Sequence, residues 1–180
     1  MIFPLFRRNA QAHTISTLYG MIVAQARLPS FYRDYAVADT VNGRFDLIVL
    51  HLALVLDRLA REPDLQGLGQ GVFDRFCQDM DHNLREMGVG DLKVPKEMQR
   101  IGEAFYGRAQ AYRTALAADD TKALVAMLGR NIYGGEADAA PRLAAYMRAA
   151  LRDLSAQDSA SLSRGELRFP DPDLVPTKIV

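Results

Sequence analysis

The sequence has 180 residues, of which 49% are hydrophobic, and it carries 22 Lys or Arg against 22 Asp or Glu. A chain of this length can bury enough apolar surface to fold as one domain without a metal or a disulfide. The zero net charge argues against a DNA binder, because such proteins derive much of their affinity from a basic field. The single cysteine, Cys77, excludes an internal disulfide and fits a reducing compartment.

The first 33 residues carry four arginines and no acid, and residues 1–12 are predicted to form a flexible basic leader. Such a leader can contact anionic lipid or RNA, or it can be a solvated terminus. Its apolar residues precede its arginines, which is not typical of a secretory signal. The most apolar run, residues 47–56, is short of the roughly 20 residues that a membrane helix needs. We therefore expect a soluble, intracellular protein.

Apolar residues recur at helical spacing along most of the chain. The spacing predicts six helices, at about residues 15–26, 43–61, 72–87, 95–116, 120–133 and 141–154. The second helix is apolar on several sides, which is typical of a central helix packed by its neighbours. The glycine-rich residues 62–71 are interpreted as a connection between the second and third helices.

Residues that favour helix starts and ends stand at several boundaries of the predicted helices. Asp119 and Asp120 offer N-caps for the fifth helix, and Gly134-Gly135 can end it. Pro141 suits the first turn of the last long helix. No stretch alternates with a period of two for long enough to predict a strand. We therefore predict an all-α, single-domain bundle of about six helices in residues 13–160, followed by an extended, proline-rich C-terminal tail in residues 161–180.

Residues that could catalyse a reaction or bind a metal do not form a recognisable site. His13, His51 and His82 lie far apart and at no metal-ligand spacing. His51 lies in the apolar second helix, where a buried histidine with one hydrogen-bond partner is the ordinary interpretation and a catalytic role is the alternative. Cys77 lies beside Phe76 with no histidine placed to activate it. The sequence therefore predicts no enzyme, no cofactor and no metal site.

One segment differs from a plain connector between helices, namely residues 80–98, MDHNLREMGVGDLKVPKEM. Gly88 can close the third helix in a left-handed conformation, and Pro95 can open the fourth. The loop also holds three apolar residues, Val89, Leu92 and Val94. Because turns are usually more polar, these residues either fold back onto the core or form a surface that grips a partner.

The run DMDHNLREMGVGDLKVPKEM, followed by GEAFYGRAQAY at residues 102–112, resembles the signature of the ubiquinol–cytochrome c chaperone family. LYGMIVAQARLPSFY at residues 18–32, GRFDLIVLHLALVLDRL at 43–59 and NIYGG at 131–135 resemble that family as well. These separate motifs stand in the family's order and extend from about residue 18 to the RFPDP at residues 168–172.

The resemblance implies a non-catalytic chaperone that binds newly made cytochrome b and promotes assembly of ubiquinol–cytochrome c reductase. Mitochondrial relatives act with a small partner protein and associate with the mitochondrial ribosome. This chain lacks their long targeting extension, so we expect a bacterial-type member that works in the cytoplasm, with peripheral contact at the inner membrane. Haem handling, and RNA or ribosome contact through the basic leader, are the alternative functions.

A chaperone for a membrane protein needs an exposed apolar patch with a polar rim. We predict this patch at the junction between the third and fourth helices. Its predicted members are Leu84, Arg85, Met87, Val89, Leu92 and Val94. Tyr106 and Arg108 are predicted at its rim, because Tyr and Arg are enriched in binding surfaces.

Overall fold

The computed structural model describes residues 3–118, 120–136 and 138–176, with side chains described from residue 11. Within those ranges the chain forms eight α-helices and no strand, so the predicted all-α, single-domain bundle is confirmed. The helices are α1 (Phe3–Ala26), α2 (Pro29–Arg33), α3 (Val41–Ala60), α4 (Gln66–Glu86), α5 (Val94–Ala117), α6 (Thr121–Ile132), α7 (Ala140–Ala156) and α8 (Ser159–Ser163). The six longer helices correspond to the six predicted ones. Among the described residues, no helix combines the length and the apolarity needed to cross a bilayer.

Helix α3 is the centre of the bundle and packs against α1, α4, α5, α6 and α7. All residues from 47 to 55 are buried, and Leu47, Leu50 and Leu52 are fully inaccessible. Removing one such leucine side chain from water contributes about 1.5–3 kcal/mol. The prediction of a central helix surrounded by its neighbours is confirmed.

Helix α4 begins earlier than predicted, because part of the glycine-rich connection is helical. The connection is limited to a short 3-10 turn, Pro63–Leu65, and α4 starts at Gln66. A Cβ on Gly71 would lie 2.3 Å from Ile15 Cδ1, and one on Gly69 would lie 3.5 Å from Leu59 Cβ. These glycines therefore allow α4 to approach α1 and α3 closely, a role that their spacing in the sequence does not distinguish from a turn.

The predicted capping residues are confirmed where the structure describes them. Asp120 caps α6 by accepting a hydrogen bond from the backbone N–H of Lys122 at 2.8 Å. Gly88, Gly134 and Gly135 have φ angles of 81°, 62° and 104°, in the left-handed region where glycine is preferred. Asp119 lies outside the described residues.

The two predicted terminal segments differ from the structure at their boundaries with the bundle. Helix α1 begins at Phe3 and so includes most of the predicted leader. Residues 161–163 belong to α8 rather than to an extended tail. Residues 1, 2 and 177–180 lie outside the described residues. The division of the chain into leader, helical domain and tail otherwise stays a prediction.

The described part of the tail packs against the bundle instead of only lying over its surface. Leu167 is 1% exposed. The Tyr35 hydroxyl donates to the Pro172 carbonyl at 2.7 Å, and Gln25 Nε2 donates to the Pro170 carbonyl at 3.1 Å. This proline-rich segment forms no helix, and side chains of the bundle therefore donate hydrogen bonds to the carbonyls of Pro170 and Pro172.

His51 is completely buried and both of its ring nitrogens have partners. Nδ1 lies 2.7 Å from the Leu47 carbonyl, and Nε2 lies 2.8 Å from the Tyr146 hydroxyl. Because a carbonyl only accepts, Nδ1 carries the proton and Nε2 accepts from Tyr146. Gln25 donates in turn to the Tyr146 oxygen at 3.0 Å. The predicted buried histidine is confirmed with two partners rather than one, and this arrangement leaves no nitrogen lone pair for a haem iron.

We expect Tyr146→Phe to destabilise the protein and Tyr112→Phe not to destabilise it. Tyr146→Phe removes the donor to buried His51 and lowers the free energy of unfolding by about 1–3 kcal/mol. The Tyr112 hydroxyl is buried without a hydrogen-bond partner among the described residues. Its removal is neutral or stabilises by up to about 1 kcal/mol. Urea denaturation of both variants measures the difference, and equal losses would contradict the described hydrogen bonding.

Acid is expected to destabilise the fold through His51. Burial lowers the pKa of His51 to about 4, from an ordinary value of 6.5. The unfolded state therefore binds a proton that the folded state excludes as the pH falls through this window. The resulting stability is fully present above pH 6.5 and is lost towards pH 4, a change of about 3 kcal/mol.

Urea denaturation at about pH 7 and about pH 4.5 measures this loss, with His51→Gln as the control that cannot titrate. The pH dependence of His51→Gln should be smaller than that of the parent protein. If both proteins lose the same stability between the two pH values, His51 is not the responsible group.

Candidate functional site

Leu84 and Met87, two of the predicted patch residues, line a groove formed by the end of α4, the start of α3 and the start of α5. We call it the α3–α4–α5 groove, and its volume is about 560 Å³. Leu84 is half-buried, whereas Met87 is 59% exposed. The lining residues are Arg27, Val41, Asn42, Arg44, Phe45, Ile48, Met80, Asn83, Leu84, Glu86, Met87, Glu97, Arg100, Ile101 and Ala104.

The groove exists because the apolar surface of α3 continues beyond the part that its neighbours cover. Thr40 caps α3 by accepting a hydrogen bond from the Gly43 N–H at 3.1 Å. The helix then exposes Val41, which is 69% accessible, and leaves Phe45 half-buried. From α5, Ile101 contributes a further half-buried apolar side chain. Apolar side chains from three helices therefore face solvent in one concave surface.

Charged residues of both signs border this apolar lining. Arg44 pairs with Asp39 at 2.7 Å, and Arg100 pairs with Glu97 at 2.7 Å. Arg27, at the end of α1, is exposed and forms no ion pair within the described residues. The rim is thus polar, with charges of both signs and no strongly basic field. Such a rim suits an apolar partner better than a nucleic acid.

The junction loop, residues 87–93, connects α4 to α5 beside the groove. Leu92 is 98% exposed and Val89 is half-buried. Arg85, just before the loop, is exposed and forms ion pairs with Asp81 at 2.7 Å and with Asp91. These positions agree with an accessible surface, and their role as a client-binding patch stays a prediction.

Val94 is the exception, because the structure buries it to 2% exposure at the first position of α5. It cannot contribute to an exposed patch, and the prediction for this residue is wrong. The physical reason is the turn between Leu92 and Val94, which directs one apolar side chain to solvent and the other to the protein interior. Alternation of this kind is not visible from loop composition.

The two predicted rim residues do not lie on the α3–α4–α5 groove. Arg108 forms an ion pair with buried Asp46 at 2.8 Å, and its guanidinium lies 5.5 Å from the centre of the Phe45 ring. Tyr106 is 63% exposed and packs on Phe73, with ring centres 5.6 Å apart. It lines a second, smaller groove of about 190 Å³. Arg108 is therefore a structural partner of Asp46, and Tyr106 belongs to another surface.

Sequence reasoning did not assign the other lining residues to a site, among them the apolar Val41, Phe45, Ile48 and Ile101. The helical spacing correctly places Phe45 and Ile48 on the inner face of α3, but it does not show where neighbouring helices stop. One signal was present at Val41, an apolar residue directly after the Thr40 cap and before polar Asn42. An apolar residue in that position is exposed unless another element covers it.

Other groups with chemical potential have structural surroundings. Burial raises the pKa of the half-buried Cys77 thiol, and the nearby carboxylate of Asp74 raises it further. This keeps the thiol protonated and weakly nucleophilic. Asp79, a half-buried residue of α4, accepts a hydrogen bond from the Tyr19 hydroxyl at 2.8 Å. Within the described ranges, no group of three His, Cys, Asp or Glu side chains could hold a metal ion.

Comparisons with known proteins give a consistent result. A sequence model of the family described as Ubiquinol-cytochrome C chaperone matches residues 33–169. A relative from Xenopus laevis, ubiquinol-cytochrome-c reductase complex assembly factor 1, is 24% identical over 150 residues, covering 81% of this chain and 74% of the relative. The crystal structure of the Cbp3 homolog from Brucella abortus has a TM-score of 0.88 and 40% identity, covering 98% of this chain and 100% of that one. The family match includes all groove residues except Arg27.

The exposed groove is expected to bind a small uncharged apolar probe such as N-phenyl-1-naphthylamine. Val41→Asp combined with Met87→Asp should weaken binding about tenfold, because two apolar contacts are replaced by charged groups. Both positions are exposed, so folding should not be affected. Fluorescence titration measures the affinity. Leu174→Asp, at a site that is 79% exposed and outside the groove, is the matched control and should leave binding unchanged.

Proposed function

The chain belongs to the ubiquinol–cytochrome c chaperone family, and we propose that it binds newly made cytochrome b and promotes its assembly into ubiquinol–cytochrome c reductase. The observation that carries the proposal is the α3–α4–α5 groove, an open apolar surface with a polar rim. A newly made membrane protein exposes apolar helix faces before insertion, and a groove of this kind shields such a face from water.

Groove composition supports an adaptable client site. Met80 and Met87 stand along the α4 side, with Leu84 between them one turn from each. Methionine side chains are unbranched and polarizable, so they fit apolar partners of varied shape. Together with Phe45 and Ile101 on the opposing helices, they offer contacts that depend on apolar area more than on a specific sequence. A chaperone that releases its client needs contacts of this moderate, non-directional kind.

The proposed role is non-catalytic. His51, whose pKa is lowered by burial, is enclosed by the core and hydrogen-bonded at both ring nitrogens, so it has no access to a substrate. We further propose that the protein acts in the bacterial cytoplasm, close to the inner membrane. A small partner protein and a ribosome contact, which the family resemblance implies, belong to the same proposal.

Genetic complementation tests the client site. In cells that lack this gene, we expect the haem absorption of the reductase cytochrome b to fall in reduced-minus-oxidised spectra of membranes. The parent gene and Leu174→Asp should restore it, because Leu174 lies outside the groove. Val41→Asp combined with Met87→Asp should leave the signal near that of the deleted strain, because the charges keep an apolar client from entering the groove.

Two measurements accompany this experiment. Immunoblotting establishes that all variants are present at equal amounts, and an unrelated membrane enzyme reports on membrane protein insertion in general. Full restoration by the Val41/Met87 variant would show that the client binds elsewhere. An unchanged cytochrome b signal in the deleted strain would refute the assembly function under those growth conditions.

A further inference from the structure

Leu92 is the most exposed of the large apolar side chains in the described part of the chain, at 98%. It lies in the junction loop, five residues after Met87, which is 59% exposed. A side chain with this exposure contributes no packing to the fold. Exposure of two apolar side chains in one short loop is unfavourable in free energy unless a partner covers them.

The loop presents Leu92 in a defined position rather than allowing it to fold back. Gly88 has a φ of 81°, and the Val89 N–H donates to the Leu84 carbonyl at 3.0 Å. The Lys93 N–H donates to the Gly90 carbonyl at 2.7 Å. Arg85 pairs with Asp91, so the acidic group next to Leu92 is neutralised from within the protein.

Cations flank this leucine on its C-terminal side. The chain has only four lysines, and two of them, Lys93 and Lys96, lie within four residues of Leu92. Both are exposed and neither has an ion-pair partner among the described residues. Lys93 is the N-cap of α5 and Lys96 lies in its first turn, where the helix dipole favours anions over cations. Their position is therefore unfavourable for the helix and favours an external anionic partner.

We propose that the segment from Met87 to Lys96 docks on an anionic lipid bilayer, with Leu92 entering the interface and both lysines contacting lipid phosphates. An apolar side chain beside unpaired lysines matches the two layers of such a surface, the acyl boundary and the charged headgroups. Met87 belongs both to this segment and to the α3–α4–α5 groove, so docking brings the groove opening to the membrane surface. The inference concerns a lipid partner at the loop and does not require that the groove binds cytochrome b.

The absence of tryptophan from the sequence provides a direct test. Leu92→Trp and Leu174→Trp each introduce one fluorophore at an exposed leucine, at sites 98% and 79% accessible. The purified full chain is mixed with vesicles of phosphatidylcholine alone, or with an equal part of phosphatidylglycerol, carrying brominated acyl chains. With anionic vesicles, the tryptophan at position 92 should shift to shorter wavelength and be quenched. The tryptophan at position 174 should not respond.

Vesicle co-sedimentation of variants that carry no introduced tryptophan separates the contributions of charge and apolarity. Lys93→Gln combined with Lys96→Gln should weaken binding to anionic vesicles about 25-fold at low salt, which is about fivefold for each lysine. Lys122→Gln is the matched control, since Lys122 is also exposed in the first turn of a helix. Leu92→Asp should weaken binding by at least about tenfold, whereas Leu174→Asp should have no effect.

Three results would overturn the proposal. The first is equal quenching at positions 92 and 174, and the second is equal affinity for neutral and anionic vesicles. The third is binding that survives Leu92→Asp but disappears in Arg7→Gln combined with Arg8→Gln, which would assign the lipid contact to the N-terminal segment. Because no client is present in these experiments, their outcome is independent of the complementation result.

Discussion

Burial of α3 on all sides is the constraint on which the rest of the structure depends. Five other helices pack against it, and every residue from 47 to 55 is withdrawn from water. One polar side chain, His51, lies within this segment, and its partner Tyr146 on α7 satisfies it. Gln25 on α1 and the tail carbonyl of Pro170 extend the same network. The apolar helix therefore fixes the positions of its neighbours, and the buried hydrogen bonds specify how α1, α7 and the tail meet it.

The groove follows from the same helix, because Val41 and Phe45 keep one face of α3 apolar towards its N-terminus, where both side chains remain accessible. Asp46 is buried at this end and is neutralised by Arg108 from α5, which ties α5 to α3 beside the open region. An ion pair in this position costs desolvation and contributes little net stability, but it restricts how α5 can be placed. The position of α5 in turn determines that Ile101 faces Phe45 across a groove instead of closing over it.

Helical periodicity, prolines and left-handed glycines were sufficient to predict the fold class, the six longer helices and most of their ends. These signals gave a wrong helix boundary where one residue type, glycine, occurs both in connections and inside closely packed helices. Gly69 and Gly71 allow close helix packing inside α4, yet glycines in this number also signal a connection. The lining of the α3–α4–α5 groove was predicted in part for a similar reason. Leu84 and Met87 were identified because they adjoin an unusual loop, whereas Phe45 and Ile101 look like core residues until the ends of neighbouring helices are known.

The junction between α4 and α5 shows why composition alone could not separate structural from exposed apolar residues. Val94 and Leu92 are two positions apart, yet one is 2% exposed and the other 98%. Val94 begins α5 and anchors it in the interior, so its burial fixes the turn that precedes it. With that turn fixed by Gly88 and by the pairing of Arg85 with Asp91, Leu92 can only point to solvent. The exposed leucine is thus held in place by the buried valine, and a partner that bound there would meet a preformed surface with little ordering cost.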